Sequence, residues 1–335
     1  MKRTSLICVT MLLISAGRLA ASEDTNATGA GPSRGLVSFA GEAPEAVAAA
    51  VILPVAVPTI LLDVSDVETT ISVPSTVTYH PGFDTYYASA TGNPNYAGFV
   101  FGSAGGAPIH VEEPLNIDVR AWNYNANTNL LEVVTYDAVT GGAGRGLIEA
   151  QTDGSGLLTG GTASLLAAMP GNNGSQTAPA YNATANVFYS RDDNNVVNRV
   201  SRIDGSLLGT INLDFASAGV TSAPDDGIVY VPEIDALGVL DESAETLSLF
   251  DGSGAFLANV SLPLDVSGSS RRPGYANGQL FVWDSTLDGW QGLRILDEAS
   301  SITAIPTAST VGLVVFGLLL LVVSLLLLGR RRAMS

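Results

Sequence analysis

Cysteine is nearly absent from this 335-residue chain. The one thiol, Cys8, sits inside an apolar N-terminal run, so the remainder has no disulfide framework, no thiolate zinc site and no cysteine nucleophile. Lysine is just as scarce, Lys2 being the only one, and His80 and His110 are the only imidazoles. No H-E-x-x-H helix and no lysine-containing phosphate loop occurs, which removes the zinc-peptidase and P-loop classes. Sustained helical periodicity is missing between Thr69 and Asp297, so helical bundles are excluded there.

What is present is acid. All 32 Asp and Glu residues fall between Glu23 and Glu298, against nine arginines in the same interval. A surface that negative repels nucleic acid and anionic lipid, so no nucleic-acid partner is expected.

The ends of the chain carry addresses. Lys2 and Arg3 precede an apolar run from Leu6 to Ala16, and small residues follow at Ala20, Ala21 and Ser22, the layout of a secretory signal peptide over 1–22. Arg18 interrupts the run too early for a spanning helix. At the other end, Val311 to Leu328 gives 18 residues interrupted only by Gly312, Gly317 and Ser324, long enough to cross a bilayer core. On the insertion scale this segment favours lipid by about 4 to 9 kcal/mol. Arg330, Arg331 and Arg332 follow at once, which keeps the C-terminus cytoplasmic and places everything before Val311 outside.

An uncleaved anchor would satisfy that run. The order of motif, helix and arginine cluster goes further: Ile305, Pro306, Thr307, Ser309 and Gly312 match the IPTLSEWG pattern. The tail, 305–335, thereby resembles the IPTL-type C-terminal sorting signal of Gram-negative bacteria, with Ala308, Thr310 and Val311 standing where that family has Leu, Glu and Trp. The resemblance implies an exosortase-type membrane transpeptidase as partner, cutting near Ile305, Pro306 and Thr307 at the outer membrane boundary. It also implies a cell envelope or surface destination.

Between the addresses, 23–68 reads as a leader. Glu23 to Gly35 is flexible, and Ala46 to Val64, apolar but broken by Pro54 and Pro58, reads as buried extended chain. From 69 to 300 the pattern changes to short runs of Val, Ile, Leu, Tyr and Phe between turn residues. Thr246 to Pro263 is a hairpin turning at Asp251-Gly252-Ser253-Gly254, with Leu247 and Leu249 facing Phe256, Ala258, Val260 and Leu262 on one buried side. Arg199 to Phe215 repeats the scheme around Asp204-Gly205-Ser206.

These hairpins belong to a longer repeat anchored at Tyr79, Tyr124, Tyr181, Pro224 and Tyr275, with intervals of 45, 57, 43 and 51 residues. Such periods predict an all-β, β-propeller-like ectodomain of about five or six blades, a sixth requiring the Ala46 to Val73 region. The long interval holds a Gly-rich stretch, Gly141 to Gly174, expected to be a loop insertion. Val187-FYSRDDNNVVNRVSRIDGSLLGTI resembles NHL and YVTN-type propeller repeats. A β-sandwich is the alternative.

Candidate chemistry is sparse. Asp192, Asp193, Asn194 and Asn195, and again Asp225 and Asp226, offer oxygen ligands for calcium, yet the same residues suit tight turns. Calcium is the candidate ion at these acids and no other cofactor is expected, though the two imidazoles could share a metal or act as a base; a calcium-dependent adhesin would melt higher in millimolar calcium. His80 and His110 both neighbour turn residues. Trp283 and Trp290, near Arg271 and Arg272, suit either a sugar or peptide pocket or packing between blades. The sequence therefore describes an exported propeller that binds a polysaccharide or protein without catalysis. Its rival is a hydrolase or lyase acting on an extracellular polymer with carboxylates in the propeller channel.

Overall fold

The computed structural model describes residues 50–297, apart from 68–70, 72, 137–145, 161–163, 173–176, 192–193, 222–226, 265 and 267–271. The signal peptide, the tail with Ile305, Pro306, Thr307, Gly312 and Arg330 to Arg332, and Asp192, Asp193, Asp225 and Asp226 lie outside the described residues. Among the described residues no helix is long and apolar enough to cross a membrane.

The first strand of the chain, β1 (Val51–Asp63), belongs to the last sheet. Sheet one follows it with β2 (Thr78–His80), β3 (Thr85–Ser89), β4 (Gly98–Gly102) and β5 (His110–Glu112). Sheet two holds β6 (Val119–Asn125), β7 (Leu130–Thr135), β8 (Gly146–Glu149) and β9 (Ser164–Ala168). Sheet three holds β10 (Ala180–Asn182), β11 (Val187–Arg191), β12 (Val196–Ser201) and β13 (Leu207–Asn212). Sheet four holds β14 (Val229–Val231), β15 (Ala236–Asp241), β16 (Thr246–Asp251) and β17 (Phe256–Ser261). Sheet five is β18 (Gly274–Ala276), β19 (Gln279–Asp284) and β20 (Gly289–Asp297), completed by β1.

Within each sheet neighbours run antiparallel. A single parallel pair, Val55 with Ser261, joins β1 to β17 and links sheets four and five into one eight-stranded order.

The core shows how the sheets are arranged. Five apolar clusters exist, one in each gap of a closed ring: sheets one and two, two and three, three and four, four and five, five and one. Middle strands therefore bury both faces. On β3, Tyr86 and Ala88 enter the gap toward sheet five while Tyr87 enters the gap toward sheet two. Period-two alternation still operates, but it sorts side chains between two interiors instead of between interior and water. The expectation of one buried face for the Thr246 to Pro263 hairpin is corrected accordingly: Ser248 and Phe250 are buried as well as Leu247 and Leu249.

The hairpins themselves stand. Asp251 Oδ1 accepts hydrogen bonds from the amides of Ser253 and Ala255, and Gly254, at φ 92°, presses its turn onto Asn212 of sheet three. A β carbon there would lie 2.1 Å from the Asn212 carbonyl oxygen, so only glycine fits. Phe215 does not continue the β13 strand; it opens the one-turn helix α1 (Phe215–Ala218), capped by Asp214.

Further expectations change. The Gly-rich stretch Gly141 to Gly174 supplies two strands of sheet two, β8 and β9, besides the expected loop, which is the connection between them. β1 is extended as expected but mostly exposed, and it completes a fifth sheet instead of founding a sixth. Its prolines are accommodated by breaks in the pairing with β20, because a residue without an amide hydrogen is tolerated at bulges. Register breaks fall between Ile52 and Val57, around Pro54, and between Pro58 and Leu61.

Candidate ligand-binding channel

The five first strands, β2, β6, β10, β14 and β18, stand side by side in a ring and enclose a channel. Its cavity is about 110 Å³, lined by groups such as Thr78, Asn123, Tyr124, Tyr181, Tyr230 and Tyr275. No carboxylate or imidazole lines it among the described residues. The polymer-cleaving alternative placed its carboxylates here, and the described channel supplies hydroxyls and amides instead.

Each first strand carries a tyrosine at its penultimate position: Tyr79, Tyr124, Tyr181, Tyr230 and Tyr275. In the fourth repeat the structural equivalent is thus Tyr230, and the Pro224 anchor is corrected. In sheets one to four a four-residue turn follows the first strand and ends on Asp84, Asn129, Asn186 or Asp235, all at φ between 48° and 58°. Asx residues tolerate that left-handed backbone. Each then accepts the hydroxyl of its own tyrosine, five residues earlier: Tyr79 to Asp84, Tyr124 to Asn129 at 2.9 Å, Tyr181 to Asn186 at 2.8 Å, Tyr230 to Asp235 at 2.8 Å.

Sheet five breaks the pattern. Its turn is only Asn277 and Gly278, both at positive φ, a two-residue hairpin turn. Leu280 stands five residues after Tyr275, and the Tyr275 hydroxyl is buried with no hydrogen bond of ordinary geometry, the Glu233 carboxylate being the acceptor near it. Asn123 Nδ2, also in the channel lining, is a second buried group without one.

Two larger spaces open beside Tyr275. One, of about 340 Å³, is lined by Tyr181, Tyr230, Pro232, Glu233, Asn277 and others; the second, of about 400 Å³, by Thr59, Glu233, Gln279, Arg294 and Asp297 among others. Tyr275, Glu233, Asn277 and Gly278 border both. Glu233 leans over the short turn, since a side chain at Gly278 would start 4.0 Å from its Oε1.

Electrostatics follow from this packing. Burial, then the Glu233 charge and a hydrogen-bonding interaction with that carboxylate, push the Tyr275 hydroxyl far above the usual phenol range. Burial and the bond to Asp235 raise Tyr230, and the bond to Asp84 lifts Tyr79 to about 12. Asp84 moves the opposite way, held below the ordinary carboxylate range by the Tyr79 and Ser103 hydroxyls.

The other sequence candidates are dispersed. His80 is buried between Phe83 and Tyr124, with ring centroids 4.4 and 4.6 Å away, and burial lowers its pKa. His110 lies on the last strand of the same sheet, its Nε2 at 2.9 Å from the Leu158 carbonyl oxygen and 3.4 Å from Glu112, so the two imidazoles form no pair. Trp283 and Trp290 pack edge to face, 4.8 Å apart, in the gap between sheets five and one, and Trp290 Nε1 donates to the Ser75 carbonyl. Arg272 is buried and donates to the Thr91 hydroxyl. Asn194 and Asn195 serve their turn, accepting from the Val196 amide and donating to the Leu213 carbonyl. Among the described residues no group of three His, Cys, Asp or Glu side chains converges as a metal site.

What sequence reasoning missed is the Tyr-x-x-x-x-Asx spacing at the first strands of sheets one to four. Its failure in the fifth unit was readable but meaningless until the partners were seen bonded.

The architecture is that of a β-propeller. No protein family matches the chain, and no curated protein does. Among solved structures, glutaminyl cyclase of Myxococcus xanthus aligns with a TM-score of 0.51 at 11% identity, covering 74% of this chain and 98% of that one. A gluconolactonase from Xanthomonas campestris aligns with a TM-score of 0.41 at 12% identity, over 72% of this chain and 97% of that one, too loosely to carry an argument. At such identities the first likeness concerns the fold alone.

Proposed function

We propose that this chain is an exported envelope or cell-surface protein that binds a partner at the channel mouth bordered by Tyr230, Glu233, Tyr275 and Asn277, and that its tail is read by an exosortase-type transpeptidase. The observation that carries the binding reading is the unpartnered Tyr275 hydroxyl at the junction of three cavities, in a ring whose other four tyrosines are satisfied internally. Buried polar groups are normally hydrogen-bonded, and one left open at a cavity is suited to a ligand.

Delivery rests on the two chain ends. The sheets are complete at Asp297, which pairs with Val51, so both ends leave the domain at one place and thirteen residues separate it from the apolar run at Val311. That arrangement suits a domain displayed on a short tether.

The test of delivery is the intact mass of the protein taken from its native envelope, with and without the sorting enzyme. Loss of the residues after the Ile305 to Thr307 motif, only when the enzyme is present, is the expected result. A mass that retains Arg332 in both strains would reduce the tail to an anchor.

A further inference from the structure

We infer that the mouth of the channel at sheet five is a saccharide site, taking an uncharged sugar residue with neighbouring hydroxyls against the Tyr275 hydroxyl and the Glu233 carboxylate, which border the same spaces. The inference rests on the binding reading above and names its ligand class.

Three observations select that chemistry. The two buried unpartnered groups along the channel, the Tyr275 hydroxyl and Asn123 Nδ2, can both donate, so the ligand must present oxygen acceptors. Ammonium ligands carry donors only and would leave Asn123 unanswered. Glu233, exposed at the rim, accepts only, so the ligand must also donate, and its charge disfavours phosphate, sulfate and carboxylate groups. The strongly acidic chain adds to that exclusion. Sugar hydroxyls do both jobs at adjacent atoms.

The third observation is shape. Tyr181, Tyr230 and Tyr275 are each half-buried around the mouth, offering apolar ring surface beside polar atoms, as an amphipathic sugar ring requires. Spaces of about 340 and 400 Å³ fall within the range of small-ligand sites. The short Asn277-Gly278 turn keeps the mouth open, because sheet five lacks the longer turn and Asx side chain that close the equivalent corner in the other sheets.

The test is binding of the full chain, held in detergent, to immobilised neutral oligosaccharides, to uronic-acid and sulfated oligosaccharides, and to short peptides. Neutral oligosaccharides are expected to bind best. Tyr275→Phe and Glu233→Gln are each expected to weaken that binding about tenfold, the worth of one buried hydrogen bond. Tyr79→Phe, whose hydroxyl serves Asp84 and borders neither space, leaves it unchanged. Melting temperatures within a few degrees of the parent's establish that the variants fold. Absence of neutral-oligosaccharide binding, equal binding by parent and Tyr275→Phe, or a preference for acidic sugars would each overturn the inference. Peptide binding weakened by Tyr275→Phe would also overturn it while leaving the binding reading intact, and none of these results depends on whether the tail is cut.

Discussion

Sheets one to four are each made from one unbroken stretch of chain, whereas sheet five is assembled from residues 274–297 and a strand that begins at Val51. The same sheet is the one whose first turn lacks the tyrosine partner. One blade therefore combines two departures: it closes the ring, and it leaves a polar group open. The contrast separates positions where hydrogen bonds are used up in holding a turn from a position where they remain for something else.

The largest way to break the comparison is at the closing gap. Trp290 is fully buried there, against Trp283, Phe99 and Phe101, and bonded to Ser75. Trp290→Ala should cost about 3–5 kcal/mol of stability in urea unfolding. Trp122→Ala, in the gap between sheets one and two, should cost a similar amount, since Trp122 is nearly as buried and bonds Ser89. Only the first should speed hydrogen exchange along β1, because β1 is held chiefly by β20, on which Trp290 lies. Equal protection of β1 in both variants would mean that the closing strand does not depend on that packing.

Smaller effects sharpen the difference between turns. Tyr230→Phe removes a hydroxyl bonded to Asp235 and should cost about 1 kcal/mol or less at this half-exposed position. Tyr275→Phe removes a hydroxyl with no hydrogen bond of ordinary geometry, so its stability should match or slightly exceed the parent's. Equal losses in the two would show that Tyr275 has an internal partner after all.

The smallest expected effect is on alkaline titration. Tyr79, Tyr86, Tyr87, Tyr181, Tyr230 and Tyr275 all have raised pKa values, chiefly from burial except at Tyr79, where the Asp84 bond leads. For an acid raised on folding, the stabilisation is complete below its unfolded value near pH 10 and is lost as pH climbs through the folded value. Tyrosinate absorbance should therefore lag behind that of the unfolded chain above pH 10, and unfolding should follow. Tyr275→Phe should remove one of the latest-titrating groups; an unchanged curve would contradict its burial.

Much of the fold was legible because turn chemistry is local. Asp251 to Gly254 and Asp204 to Ser206 announce hairpins through their own side chains and backbone freedom. Other features depended on neighbours. Phe215 alternates correctly with Ile211 and Leu213, yet Asp214 caps a helical turn before it. Gly141 to Gly174 looked like a loop because of its glycines, and its two short strands, β8 and β9, took shape through pairing with β7 and with each other.

The sequence by itself determined the all-β class, the repeating unit and the acidic composition, since composition and period-two patterning act over short stretches. Only the tertiary structure decided that the sheets number five, that Val51 to Asp63 closes the ring, and that Tyr275 alone among the five ring tyrosines has no partner. The ring closure arises where residues more than two hundred positions apart meet, and the open hydroxyl where a short turn is set among neighbouring sheets. A hydroxyl is free or bonded according to what the fold brings beside it, and that cannot be read from the residue that carries it.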